Sequence, residues 1–196
     1  MARQESNTRT AILDAAGRLF YAEGIRAVSV DAVAAAAGVT KRTLYYHFTS
    51  KDELIAEYLQ SRDQPNLNLF RKWFDAEAGG AADKVHAIFA HVAAASRHPK
   101  WKGCGFLRTA AELANMPGHP AIAIGAAHKR KFEDWLAGEL ESRSVLEPKR
   151  LARQIQVLLD GAFATTLINR NSDYVLAAGD AARSLVAQLE PGPSGS

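Results

Sequence analysis

Apolar residues recur along this chain at the spacing of helices, and nowhere at the alternation of strands. From Thr8 to Gly24, the residues Ile12, Ala15, Ala16, Leu19 and Phe20 occupy one helical face, and Gly24 is the stop. Val30, Val33, Ala34 and Ala37 repeat the pattern behind a capping Ser29, and Gly38 supplies the left-handed residue that ends this short segment. Continued to the end, the pattern predicts helices over 8–24, 30–37, 41–48, 51–78, 81–98, 105–115, 120–142, 147–170 and 173–189. Gly and Pro fall between these stretches rather than between short Val- or Ile-rich runs, so the class is all-α. Pro65 is the exception, inside the fourth stretch, and predicts a kink or break near Gln64.

The third stretch differs in kind from the others. Thr40 caps it, and from Lys41 to His47 it offers Lys41, Arg42, Thr43, Tyr45, Tyr46 and His47, while Leu44 and Phe48 make its only apolar seam. A seam this narrow anchors a helix to one neighbour and leaves the rest of its surface free for a DNA major groove. Tyr45 and Tyr46 are adjacent, so they cannot both point into one core. Ser50 caps the next helix, with Asp52 and Glu53 in its first turn and Lys51 where a phosphate could sit.

Charge strengthens this reading only when divided along the chain. Residues 1 to 51 hold seven Lys or Arg against four acids, which leaves seventeen of each for residues 52 to 196. The whole net charge of +3 therefore lies with the two-helix segment, as a surface for a polyanion requires. The remaining composition describes an ordinary globular protein, with 47% hydrophobic residues and 196 residues in all, enough for one substantial core. No apolar run approaches the about 18 to 20 residues of a membrane span, and the start MARQESNTRT lacks the apolar centre of a signal peptide. The lone Cys104 cannot form an internal disulfide, so a reducing, cytoplasmic setting without membrane partners is expected.

Residues 8 to 59 resemble the DNA-binding domain of the TetR family of transcriptional regulators. The resemblance rests on AAGRLFYAEG, on the run from Ser29-Val30 to Gly38-Val39, and above all on TKRTLYYHFTSK from Thr40 to Lys51. It implies that Thr40, Lys41, Arg42, Thr43, Tyr45, Tyr46 and His47 form the groove-entering helix. Tyr46, His47, Lys51 and Ser29 then match the phosphate contacts. The chemistry agrees, because Arg and Lys suit guanine O6 and N7, a threonine methyl suits thymine, and tyrosine hydroxyls and helix starts suit phosphate. Arg3 and Arg9 are candidates for an arm along the DNA backbone or minor groove.

The resemblance also implies a domain plan: a three-helix helix-turn-helix domain over 1–50 and a larger helical ligand-binding and dimerisation domain over 51–190; the tail over 191–196 has no apolar content to bury and is expected to be disordered. Candidates for an apolar or aromatic effector pocket are Phe70, Trp73, Phe74, Phe89, Trp101, Cys104, Phe106, Asn115 and Trp135. His86, His91, Glu112 and Thr165 are further polar candidates. The homodimer face is expected on the last two helices, at Leu151, Ile155, Leu158, Leu159 and Ala162 on one, and Ala178, Ala182, Leu185 and Val186 on the other. The partners implied are a palindromic double-stranded DNA operator, a small-molecule effector that releases it, and a second copy of the chain.

Several other chemistries lose their footing. The run Gly103-Cys104-Gly105-Phe106-Leu107-Arg108 starts like a dinucleotide fingerprint, but Arg108 replaces its third glycine and no strand precedes it. His86 and His91 are five apart, off the spacing for two metal ligands on one helical face. No nucleophile elbow, paired carboxylates or phosphate loop appears, so no enzyme, metal or cofactor is expected. The rival reading is a helical small-molecule-binding protein that does not read DNA.

Overall fold

The computed structural model describes residues 2–191, with side chains from residue 6 onward. Arg3 as a DNA arm, and the tail apart from Pro191, lie outside the described residues. Nine α-helices make up the described fold: α1 Ala2–Glu23, α2 Val30–Ala36, α3 Lys41–His47, α4 Lys51–Ala76, α5 Ala81–Ser96, α6 Gly105–Glu112, α7 Pro120–Glu141, α8 Pro148–Asn169 and α9 Asp173–Ala187. None is long and apolar enough to cross a membrane.

The chain divides into two compact units. Met1–Gln64 and Gly105–Ala126 form the first; Pro65–Cys104 and Ala127–Ser196 form the second. Helix α4 runs continuously through the first boundary, so of the kink or break expected near Gln64 the break does not occur. Pro65 lacks the N–H that Ser61 C=O would accept, but the helix continues on either side, and the boundary falls at this residue.

In the first unit, Ile12, Ala15, Ala16 and Phe20 of α1 are buried with Val33 and Ala34 of α2, Leu44 and Phe48 at α3, and Leu54, Ile55, Tyr58 and Leu59 of α4. Phe20 and Tyr58 meet edge to face at 5.6 Å. Helix α6 belongs to this unit because of a residue distant in sequence. The carboxylate of Glu112, its last residue, accepts from Arg26 N at 2.9 Å and Ile25 N at 3.3 Å, in the turn after α1. Gly24 holds φ +93° at this turn, and a Cβ there would lie 2.9 Å from Glu112 Oε1. Arg108, one turn earlier on α6, donates to Tyr21 O at 2.7 Å and sits over the Tyr21 ring.

In the second unit α9 packs on α5 and α8. The contact with α5 is close: a Cβ on Gly179 would come 2.7 Å from Phe89 Cβ. Gly80, at the N-cap of α5, has no side chain to cap with, and Glu190 takes that role by accepting from Ala81 N at 2.5 Å and Ala82 N at 3.3 Å.

Candidate nucleic-acid interface

Helices α2 and α3 are each set by a hydroxyl cap. Ser29 Oγ accepts from Ala32 N at 3.1 Å, and Thr40 Oγ1 accepts from Thr43 N at 3.1 Å. Gly38, between the helices, has φ +68°, and a Cβ there would meet nothing within 4 Å. The glycine is therefore required by its backbone angle, not by crowding. With Leu44 alone buried in α3 and Phe48 fully buried just after it, the helix rests on one seam. Tyr45 is 43% and Tyr46 73% exposed, so both tyrosines face outward.

The exposed groups of α3 are not equally free. Lys41 Nζ lies 3.0 Å from Asp31 Oδ2 on α2, and this hydrogen bond, with the charge of the carboxylate, raises the lysine pKa. Lys41 is thereby held charged, and it must exchange Asp31 for a phosphate or base to touch DNA. Thr43 Oγ1 lies 2.8 Å from Thr40 Oγ1, which engages one of its hydrogen-bonding positions, and its methyl group suits thymine. The Arg42 side chain is exposed and makes no ion pair among the described residues, which leaves its guanidinium open to a guanine edge. His47 packs edge-on to Tyr46 at 5.1 Å.

The start of α4 is built to hold Lys51 beside this helix. Ser50 Oγ accepts from Glu53 N at 3.0 Å, and Glu53 Oε2 accepts from Thr49 N at 2.5 Å and Thr49 Oγ1 at 2.6 Å. These bonds to Thr49 lower the Glu53 pKa. In the same first turn, Asp52 Oδ1 lies 3.3 Å from Nε2 of the buried His119, a contact with no signal in the sequence. Arg9, a candidate for a DNA arm, has partners inside the domain. It pairs with Glu57 at 3.0 Å and lies over the Phe48 ring at 5.0 Å.

A profile described as "Bacterial regulatory proteins, tetR family" matches residues 12–58, from the middle of α1 through the first turns of α4. Among curated relatives, the chain is 34% identical over 93 residues to the HTH-type transcriptional regulator SrpR of Pseudomonas putida. This match takes in 44% of this chain and 43% of SrpR, less than half the length of that relative. It is 37% identical over 132 residues to the HTH-type transcriptional repressor KstR2 of Mycobacterium tuberculosis, 67% of this chain and 66% of that protein. Over nearly the full length, it is similar to the crystal structure of SCO4454, a TetR-family transcriptional regulator from Streptomyces coelicolor: 31% identity, TM-score 0.77, 93% of this chain and 97% of that one. The chain belongs to the TetR family. The matched segment takes in α2 and α3 whole.

The effector candidates fall in both units. Phe74 and Phe89 are fully buried in the second unit, Phe106 is buried in the first, and Asn115 is exposed in the first. Phe70, Phe74, Phe132 and Trp135 pack edge to face in a chain with centroids 5.2 to 5.7 Å apart, joining α4 to α7. Most of the aromatic load is therefore core. Trp73 stacks on His91 at 5.1 Å and Trp101 on Phe163 at 6.2 Å. Cys104 Sγ accepts from Lys129 Nζ at 3.8 Å, and Lys129 pairs with Asp160 at 2.5 Å between α7 and α8. Sequence reasoning missed Gln156, 5% exposed on the inward face of α8 with its Nε2 unpaired, because a polar residue inside an apolar stripe reads as noise.

The dimer candidates need a correction. Leu151, Ile155, Leu159, Ala162, Ala182 and Val186 are all buried within the chain itself, so they form its own core. Leu158, Ala178 and Leu185 keep partial exposure. The apolar surface that remains is one turn round from the expected face: Val157 is 67% and Ile168 79% exposed, with Gly161 open between them. Val157, Leu158, Ala181 and Leu185 line a groove of about 480 Å³ between α8 and α9.

Proposed function

We propose that this chain acts as a homodimeric repressor that binds a palindromic operator and lets go when a small, largely apolar or aromatic effector binds. The observation that carries the reading is α3: a capped helix held by one seam, with Arg42, Tyr45 and Tyr46 turned outward. Two such helices about one DNA turn apart require an operator of matching symmetry. The exposed α8 and α9 surface at Val157, Leu158, Ile168 and Leu185 supports pairing, since Val157 and Ile168 are costly to leave in water. For the effector, the second unit offers partly exposed Trp73, Trp101 and Trp135, with Cys104 and Gln156 as polar contacts. The chain binds rather than catalyses in this reading, and it works in the cytoplasm with no metal or cofactor.

An effector can release DNA only by binding one state better than the other, a coupling of about 1–3 kcal/mol. Helices α4 and α7 and the peptide bond between Cys104 and Gly105 all run from one unit into the other, so each can carry that bias. Selection of bound duplexes from a random pool by the purified chain tests the reading. It should recover symmetric sequences with half-sites spaced by about ten base pairs or a multiple. Recovery of unrelated sequences would favour the rival, a binding protein without specific readout.

A further inference from the structure

We propose that the second unit carries a separate oxyanion site, for the phosphate group of a small metabolite, where the end of α5 meets the turn between α8 and α9. A cavity of about 390 Å³ lies there, lined by Ser96, Arg97, His98, Thr166, Arg170 and Ser172, with the Trp101 ring also on its wall. The two segments that build it, SRHPKWK over 96–102 and TLINRNS over 166–172, hold four Lys or Arg and no acid. Residues 52 to 196 are neutral as a whole, so the concentration is local.

The two arginines here differ from those that carry ion pairs elsewhere in the chain. Arg9, Arg143, Arg150, Arg153 and Arg183 each pair with a carboxylate, whereas Arg97 and Arg170 pair with none among the described residues. Arg170 also takes φ +54°, where glycine would fit the turn with less strain, so the turn itself does not call for arginine. The neutral donors point the same way. Arg97 Nε donates to Ser172 Oγ at 3.4 Å, which leaves the Ser172 hydroxyl proton to give. His98 Nδ1 accepts from Lys100 N at 3.2 Å, so the neutral ring carries its proton on Nε2. Thr166 is 2% exposed and its hydroxyl has no hydrogen-bond partner. Buried hydroxyls are ordinarily paired, and a bound oxygen would pair this one.

Two guanidinium groups, two hydroxyls and a ring N–H suit the oxygens of a tetrahedral group better than the two of a carboxylate. The cavity exceeds one phosphate, and the remainder of the metabolite would lie along Trp101. The site does not depend on how the chain reads DNA.

Calorimetric titration of the full-length chain with inorganic pyrophosphate, at fixed ionic strength, tests the proposal. Saturable binding is expected, weakened about tenfold or more by Arg97→Gln and by Arg170→Gln, both exposed and harmless to the core. Thr166→Val should weaken it and Thr166→Ser retain it. The proposal fails if pyrophosphate does not saturate, if succinate at the same ionic strength binds as well, or if Arg42→Gln abolishes the binding while Arg97→Gln leaves it, which would move the site to the DNA-reading helix.

Discussion

Removing the carboxylate of Glu112 should loosen the first unit by an amount that can be worked out from two hydrogen bonds. Arg26 N donates to Glu112 Oε2 at 2.9 Å and Ile25 N to Oε1 at 3.3 Å. A hydrogen bond to a charged group contributes about 1.5–3 kcal/mol, but water can replace the exposed Arg26 contact, and the Ile25 bond is long. Ile25 is 2% exposed, so its N–H is the one left stranded in Glu112→Ala. A net loss of about 2 kcal/mol follows, which for a chain of this size lowers Tm by about 4–8 °C. Glu112→Gln keeps one acceptor and should recover about half of this. The assay is thermal unfolding followed by circular dichroism at neutral pH. If it shows two transitions, the shift belongs to the one that contains residues of α1 to α3. A Tm for Glu112→Ala within about 1 °C of the parent would refute the reasoning, since it would mean that the turn after α1 holds its shape without α6.

Three further outcomes follow from named contacts. Lys51→Ala should weaken binding to all duplexes evenly and reduce the slope of log affinity against log salt by about one, as measured by fluorescence anisotropy from 50 to 200 mM salt. Val157→Asp places a charge on the exposed apolar face of α8, so sedimentation velocity should show monomers where the parent pairs, with the circular dichroism spectrum unchanged. Glu53 has a lowered pKa, so the support it gives to the start of α4 is present above the ordinary carboxylate range and is lost as pH falls through its lowered folded value. Glu53→Gln should therefore show a shallower loss of Tm on acidification across that window. Equal slopes for the two proteins would remove the cap from the account.

The helices were legible in the sequence because periodicity and caps are local: Ser29, Thr40, Gly24 and Gly38 each sit next to the boundary they set. Helix α3 was legible for the same reason, as its single seam at Leu44 and Phe48 is a pattern within eight residues. What α8 and α9 pack against was not. An apolar stripe states that a face is buried and does not state by what, so Leu151, Ile155 and Val186 looked like a partner's surface and proved to be core. The same limit applies to the aromatics, where Phe70, Phe74 and Trp135 cover one another. Glu112 and Glu190 act on backbone 86 to 109 residues away, and such pairings leave no local trace. Arg9 shows the limit of charge counting, since its positive charge is real but is met by Glu57.

The central claim is that α3 reads bases and does not merely hold phosphates. Base-resolved binding of the selected operator, measured at one salt concentration for the parent, Arg42→Ala and Thr43→Ala, tests it most directly. The account predicts that each variant loses preference at its own symmetric pair of positions, by about 1–3 kcal/mol for Arg42, while the other positions keep theirs. A uniform loss of affinity across all sequences, with every base preference intact, would contradict it.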